Sequence, residues 1–271
     1  MTKYSGQQGA RLSISRGRDR GDRLLATADG AMLADPASLG NLGGNLAGAA
    51  LEAAFEPGFW AARGELIEVT GGRGSAWFIS GNGRWVLRHY RRGGWIARLS
   101  RDAYLWAGEA RVRAFAEYRL LAELVRDGLP VPKPIAARYR LMGPLYRCDL
   151  ITQRIAGARP LSSVLSFGPV NEGTWREVGA AVARLHAAGA DHADLNAHNI
   201  LVGDDGAVSV IDFDRGMLRT PAEKSGGWAA KNLARLHRSL VKVSRNLPPD
   251  RFSAAAWDRL LAGYRLPAGY G

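Results

Sequence analysis

The stretch that most constrains this chain is residues 192–214, HADLNAHNILVGDDGAVSVIDFD. Two short apolar runs, 200–202 and 207–211, flank a Gly203-Asp204-Asp205-Gly206 turn. Apolar runs on either side of an Asp-Gly turn predict a β-hairpin, which brings the chain back on itself. Asn199 and Asp212 bracket that hairpin and are therefore expected side by side at its open end. Asp194 comes just ahead, in a loop that follows a helix. Two oxygen donors beside a further carboxylate are what phosphoryl transfer from Mg·ATP requires. In that chemistry Asp194 accepts or orients the proton of an attacking hydroxyl, while Asn199 and Asp212 hold Mg²⁺ on the phosphates. Each residue alone could merely cap a turn, as Asp and Asn often do. Their joint spacing argues against that reading.

Upstream, residues 65–69, 76–79 and 84–90 read as three strands. The first two are joined by Thr70-Gly71-Gly72-Arg73-Gly74-Ser75, whose glycines let backbone N–H groups approach an anion unobstructed. Residues 109–126 carry Val112, Phe115, Leu121, Leu124 and Val125 at broadly helical spacing, with Gly128 as the stop. Pro130, Pro132 and Pro134 then force an extended segment. Residues 149–155 read as a strand, and 175–188 as a second helix marked by Trp175, Val178, Val182 and Leu185. This order predicts an α+β chain of two lobes. Residues 56–155 form a small antiparallel-sheet lobe with one main helix, and 156–271 a reduced, mainly helical lobe. Residues 1–55 are rich in Gly, Ser and Arg without a sustained period. They are expected to be a poorly ordered basic extension ending in a short helix near 47–55.

Charge narrows the partner. Lys and Arg total 37 against 25 Asp and Glu, a formal net charge of +12, and only five of the 37 are lysines. Such an excess points to nucleic acid, phosphates or a membrane surface. Much of it lies in two blocks that hold six Lys or Arg each and no acid. One is 82–101, with Trp85, Tyr90 and Trp95; the other is 224–245, with Trp228 and His237. Solvated faces can look the same. A single cysteine, Cys148, excludes an internal disulfide framework and a cysteine-based zinc site. The first 23 residues are polar and Arg-rich and do not resemble a signal peptide, and no stretch is apolar enough to span a bilayer. A cytoplasmic protein, with surface attachment to a membrane open to it, is expected.

His192-Ala193-Asp194-Leu195 with Asn199 resembles the catalytic loop of protein-kinase-like folds, with Ala193 where protein kinases carry Arg. Asp212-Phe213-Asp214 resembles their Asp-Phe-Gly, with Asp214 replacing the glycine. The chain is more closely similar to the 3-deoxy-D-manno-octulosonic acid (Kdo) kinases of the lipopolysaccharide kinase family. The residues that carry this are Gly72-Arg73-Gly74, Leu87-Arg88-His89-Tyr90, GLPVPKPIAA at 128–137, DLNAHNIL at 194–201 and Asp212-Phe213-Asp214, over roughly 59–264. The resemblance implies a two-lobed protein-kinase-like fold and phosphorylation of the 4-hydroxyl of Kdo on a lipid A precursor, with ATP and Mg²⁺. It also implies peripheral attachment at the cytoplasmic face of the inner membrane. Gly71, Gly72, Arg73 and Gly74 would then cover the nucleotide. Gln153 and Ile155 would offer backbone groups to adenine, unless they only end a strand.

There are departures. No lysine occurs between Tyr4 and Pro132, so the third-strand lysine of protein kinases has no counterpart; Arg88 takes its place, with Glu117 as its partner. No Ala-Pro-Glu string follows Asp212, and the 59 residues that remain are too few for a protein-kinase substrate platform. A small-molecule or glycolipid acceptor fits better. His192 is expected to fix the loop rather than move protons; His198 could touch substrate or simply be solvated. Three alternatives stay open: a heptose kinase of the broader family, an aminoglycoside- or choline-type phosphotransferase, and a non-catalytic pseudokinase binding membrane or nucleic acid. No nucleic-acid-binding motif is present, which makes nucleic acid the lesser option.

Overall fold

Strands drawn from the first 153 residues assemble into one sheet. The computed structural model describes residues 14–16, 22–35, 49–69, 75–80, 84–91, 102–220 and 227–265. Two compact units result, residues 1–115 with 134–152, and residues 116–133 with 153–271.

Among the described residues, the first unit holds nine strands, β1 (Ile14–Arg16), β2 (Arg23–Ala26), β3 (Gly30–Ala34), β4 (Leu66–Val69), β5 (Ser75–Ile79), β6 (Trp85–His89), β7 (Tyr104–Leu105), β8 (Pro134–Met142) and β9 (Leu145–Gln153). Their spatial order is β1-β2-β3-β8-β9-β6-β5-β4, with β7 also on β9. The three expected strands 65–69, 76–79 and 84–90 correspond to the β4–β5–β6 meander. Along β6, Trp85 and Leu87 are buried while Val86 and Arg88 are only partly so, the alternation a pleated strand imposes. Two short helices, α1 (Ala49–Ala53) and α2 (Pro57–Ala61), supply Leu51 and Trp60 to a core with Phe55, Met32, Ile79, Leu87 and Ile151.

Residues 22–35 of the N-terminal segment are not a loose extension. Strands β2 and β3 form a hairpin, and β3 pairs antiparallel with β8 from Gly30↔Arg140 to Ala34↔Ala136. Ala31 to Ala34 are buried on both faces of the sheet, so they read as a short apolar run without alternation. The Asp29-Gly30 turn was the available signal, and Gly30 is required: a Cβ there would stand 2.1 Å from the Tyr139 carbonyl oxygen. Nearby, the buried Arg138 guanidinium donates to Asp149 (2.7 and 3.0 Å) and to Glu56 (2.8 Å). The other Asp149 oxygen lies 2.6 Å from His89 Nδ1, and that carboxylate raises the His89 pKa above its ordinary value.

Helix α3 (Arg113–Arg126) starts later than the expected 109, because Gly108 takes φ 92° and Val112 is extended after a 3₁₀ turn at Glu109–Arg111. From Ala116 onward it belongs to the second unit, so the expected division at 155/156 shifts. The cause is local: Glu117 accepts a hydrogen bond from Phe213, and Leu120 lies against the turn at Gly216.

The rest of the second unit comprises β10 (Ala158–Pro160), α4 (Leu161–Phe167), α5 (Glu172–Ala187), β11 (Ala190–Asp191), β12 (Ile200–Gly203), β13 (Val208–Val210), β14 (Met217–Leu218), α6 (Trp228–Ser244) and α7 (Ala254–Arg265). Helix α5 begins three residues ahead of the expected 175, where Asn171 caps it by accepting from Thr174 N–H. Its buried face packs on α7 through two glycines. A Cβ at Gly179 would meet Leu260 O at 1.9 Å, and one at Gly263 would meet Arg176 O at 1.9 Å. No described helix is long and apolar enough to cross a membrane.

Candidate active site

The expected hairpin exists. Strands β12 and β13 pair from Ile200↔Val210 to Val202↔Val208, and Gly206 N–H closes the turn on Gly203 O at 3.0 Å. At the open end Ile211 N–H donates to Asn199 O at 2.9 Å, which sets Asp212 beside Asn199. Asn199 is buried, and its Nδ2 donates to Asp194 O at 3.0 Å. The side-chain amide is thereby oriented, with Oδ1 as its remaining acceptor. Three residues separated by up to eighteen positions thus share one small region of the second unit.

The loop that carries Asp194 is held from several sides. His192 is buried against Phe213, ring centroids 4.6 Å apart. Asp194 N–H donates to His192 Nδ1 at 3.1 Å, and His192 Nε2–H donates to Ile211 O at 3.0 Å. Both ring nitrogens are occupied in the neutral form, and burial lowers the His192 pKa. The imidazole therefore ties the loop before Asp194 to the strand before Asp212, as expected, and has no free nitrogen for proton transfer. Farther along, Ala197 N–H donates to Ser239 Oγ, and Ala197 O accepts from Ser162 N–H. His198 Nδ1 lies 2.8 Å from Ser162 Oγ. Asp191 is gripped by Arg219 (2.6 and 2.9 Å) and Asn232 (3.1 Å). Ser162, Ser239, Arg219 and Asn232 were not foreseen; they come from elements 28 to 42 residues away, and no local pattern marks them.

Asp212 takes φ 65°, a left-handed conformation that costs a non-glycine residue energy and is characteristic of functional turns. The turn that follows is fixed by Gly216 N–H to Phe213 O (2.7 Å) and by Phe213 N–H to Glu117 Oε1 (3.1 Å). Glu117 is thus built into the second unit beside Asp212. Arg88, in the first unit, donates to Tyr90 OH at 3.0 Å with its guanidinium 4.8 Å from that ring. Gln153 ends β9 and its N–H donates to Lys133 O at 2.8 Å, so that amide is already engaged. Ile155 follows the strand, which stops at Gln153 instead of the expected 155. Gly71, Gly72, Arg73 and Gly74 lie outside the described residues.

The Asp194 carboxylate is 63% exposed, with Arg235 3.7 Å away. It is open to an incoming hydroxyl. Asn199 Oδ1 and the Asp212 carboxylate are hard oxygen donors, which suits Mg²⁺; that ion keeps several waters and takes phosphate oxygens, so two protein ligands suffice. Among the described residues no three His, Cys, Asp or Glu side chains gather as a metal cage.

Against known proteins, residues 58–264 match the model of the "Lipopolysaccharide kinase (Kdo/WaaP) family". The chain is 46% identical over 218 residues to a 3-deoxy-D-manno-octulosonic acid kinase of Xanthomonas campestris pv. campestris (strain B100), covering 80% of this chain and 85% of that protein. It is 48% identical over 190 residues to the protein of the same name from Xylella fastidiosa (strain 9a5c), covering 70% and 74%. The Xanthomonas oryzae pv. oryzae (strain PXO99A) protein of that name is 45% identical over 218 residues, covering 80% and 85%.

Proposed function

Since this chain belongs to the lipopolysaccharide kinase (Kdo/WaaP) family, we propose that it phosphorylates the 4-hydroxyl of Kdo on a Kdo–lipid A precursor, using Mg·ATP, at the cytoplasmic face of the inner membrane. The observation that carries the chemistry is the Asp194–Asn199–Asp212 arrangement at the open end of one hairpin. The acceptor is supported by the relatives named as Kdo kinases.

Asp194, exposed and fixed through its own backbone, takes or orients the proton of the sugar hydroxyl. His192, neutral and bonded at both nitrogens, holds that carboxylate at a set distance from Asp212. Asn199 and Asp212 are the Mg²⁺ ligands, and the ion supplies charge neutralisation at the phosphate oxygens. Arg88 replaces the missing lysine on the nucleotide phosphates, a role its planar donor fork suits. Gly71, Gly72, Arg73 and Gly74 cover those phosphates. Toward adenine, the engaged Gln153 N–H leaves the work to the Gln153 carbonyl and Ile155.

Purified protein incubated with Mg·ATP and a Kdo–lipid A precursor is expected to yield a phosphorylated Kdo and ADP. An acceptor panel that includes heptose-bearing core and aminoglycosides separates the rival phosphotransferases. Preferential turnover of a heptose acceptor would replace this reading with that of a heptose kinase.

A further inference from the structure

Helix α6 carries a pattern that phosphoryl transfer does not use. Lys231, Arg235, Arg238, Lys242 and the C-cap residue Arg245 recur at steps of four, three, four and three, which keeps them on one side of a helix. All five are exposed, while Trp228, Asn232, Leu236 and Leu240 bury the opposite side. No Asp or Glu occurs from 224 to 245. Among the described residues, the one ion pair to this stripe is Arg235 with Asp194, at 3.7 Å. An ordinary solvated helix face mixes signs, because like charges at these spacings repel. Here the repulsion is left in place.

The shape of the stripe narrows its partner. From Lys231 to Arg245 it runs about 21 Å along the helix, longer than a single phosphate or nucleotide can engage. An extended anionic surface is needed. Along one flank of the cations stand the exposed Ala230, Ala234 and Val241, the last 46% exposed, and no aromatic ring is exposed there for base stacking. A row of cations bordered by small apolar side chains suits the headgroup boundary of a bilayer better than a nucleic-acid backbone.

We propose that the outer face of α6 docks on an anionic lipid bilayer and brings the Asp194 loop to the lipid surface. The link between the two is Arg235, which belongs to the stripe and also faces Asp194. In the second clause the proposal rests on the kinase reading: a lipid-anchored sugar would stand where this loop is delivered. The docking itself does not depend on it.

The test uses full-length protein sedimented with vesicles of phosphatidylcholine alone or with about 30% phosphatidylglycerol. Binding is expected only to the anionic vesicles and to fall steeply with salt. Reversing three charges away from Asp194, in R238E/K242E/R245E, should lower the vesicle partition at least about tenfold. The neutral R238Q/K242Q/R245Q variant should fall in between, with melting temperatures of all forms alike. Equal partition of the reversed variant and wild type overturns the proposal. So does a duplex oligonucleotide that binds more tightly than the vesicles at equal salt and loses binding on the same reversal. Phosphate transfer is read separately: intact docking without transfer to a Kdo acceptor leaves this face standing and removes the acceptor reading instead.

Discussion

At the scale of single residues, the proposed function gives Asp194 the chemistry and His192 the placement. Asp194 is exposed and takes part in no buried network through its carboxylate, so Asp194→Asn should leave the folded state almost unchanged. Loss of a positioned base lowers kcat by about 10²–10⁴, and steady-state assays beside a melting curve measure both. Full activity in Asp194→Asn would remove the mechanism. The buried histidines make a different prediction, about acid. Burial pushes His186 down from 6.5 to about 4 and lowers His192 as well. The unfolded chain therefore binds more protons than the folded one as pH falls below 6.5, so their stabilising contribution is complete above that pH and shrinks below it. The slope is up to about 1.4 kcal/mol per pH unit for each group. His89 has the opposite sign: its raised pKa supports the fold below 6.5 and that support fades as pH rises through the folded value. Urea denaturation should show ΔG falling as pH drops from 6.5 to 5, and His186→Phe should flatten that slope by about one proton's worth. Spacing was enough to bring Asn199 and Asp212 side by side, because one hairpin sets their separation. Ser239 and Asn232 left no trace, since they reach the loop from a helix packed against it.

At the scale of elements, sequence reading succeeded where a segment carries its own period and stop signal. Helix α5 ends just before Gly189, which takes φ 88°, and the chain after α3 turns at Gly128 with φ 71°. It failed for β3, whose four-residue buried run shows neither alternation nor helical spacing. The consequence is testable. A chain lacking residues 1–35 would lose Met32 and Ala34 from the core and expose the edge of β8 that β3 covers. Soluble yield should drop sharply, with aggregates in size-exclusion chromatography, whereas a loose extension would be dispensable. The α5–α7 contact offers a second check. At Gly179 and Gly263 an added methyl meets main-chain oxygen at 1.9 Å, and backbone cannot rotate away as a side-chain tip can. Gly179→Ala or Gly263→Ala is expected to cost about 1–3 kcal/mol in chemical denaturation, despite the better helix propensity of alanine.

For the whole molecule, the net charge of +12 leaves nucleic acid, phosphate and membrane equally open when taken as a sum. Placing the charges separates them. Residues 231–245 resolve into a one-sided stripe on α6, while Arg88 sits on β6 of the sheet unit, and the proposed function assigns it to the nucleotide. A kinase and a basic binding module then differ in how the entire fold responds to Mg·ADP. A ligand that binds only the native state at 100 times its Kd adds about 2.7 kcal/mol of stability, which for a domain of this size raises Tm by about 5–8 °C. Under the proposed function the metal is part of that gain, because Asn199 and Asp212 would contribute through it to the phosphates. Chelation of magnesium should therefore remove most of the shift, and Asp212→Asn should remove it even with magnesium present. Asp194→Asn should retain it, since the proposed function sets that carboxylate on the acceptor hydroxyl and not on the metal. A basic module would show no nucleotide shift in any of these proteins, and its binding to anions would fall with salt in all of them alike.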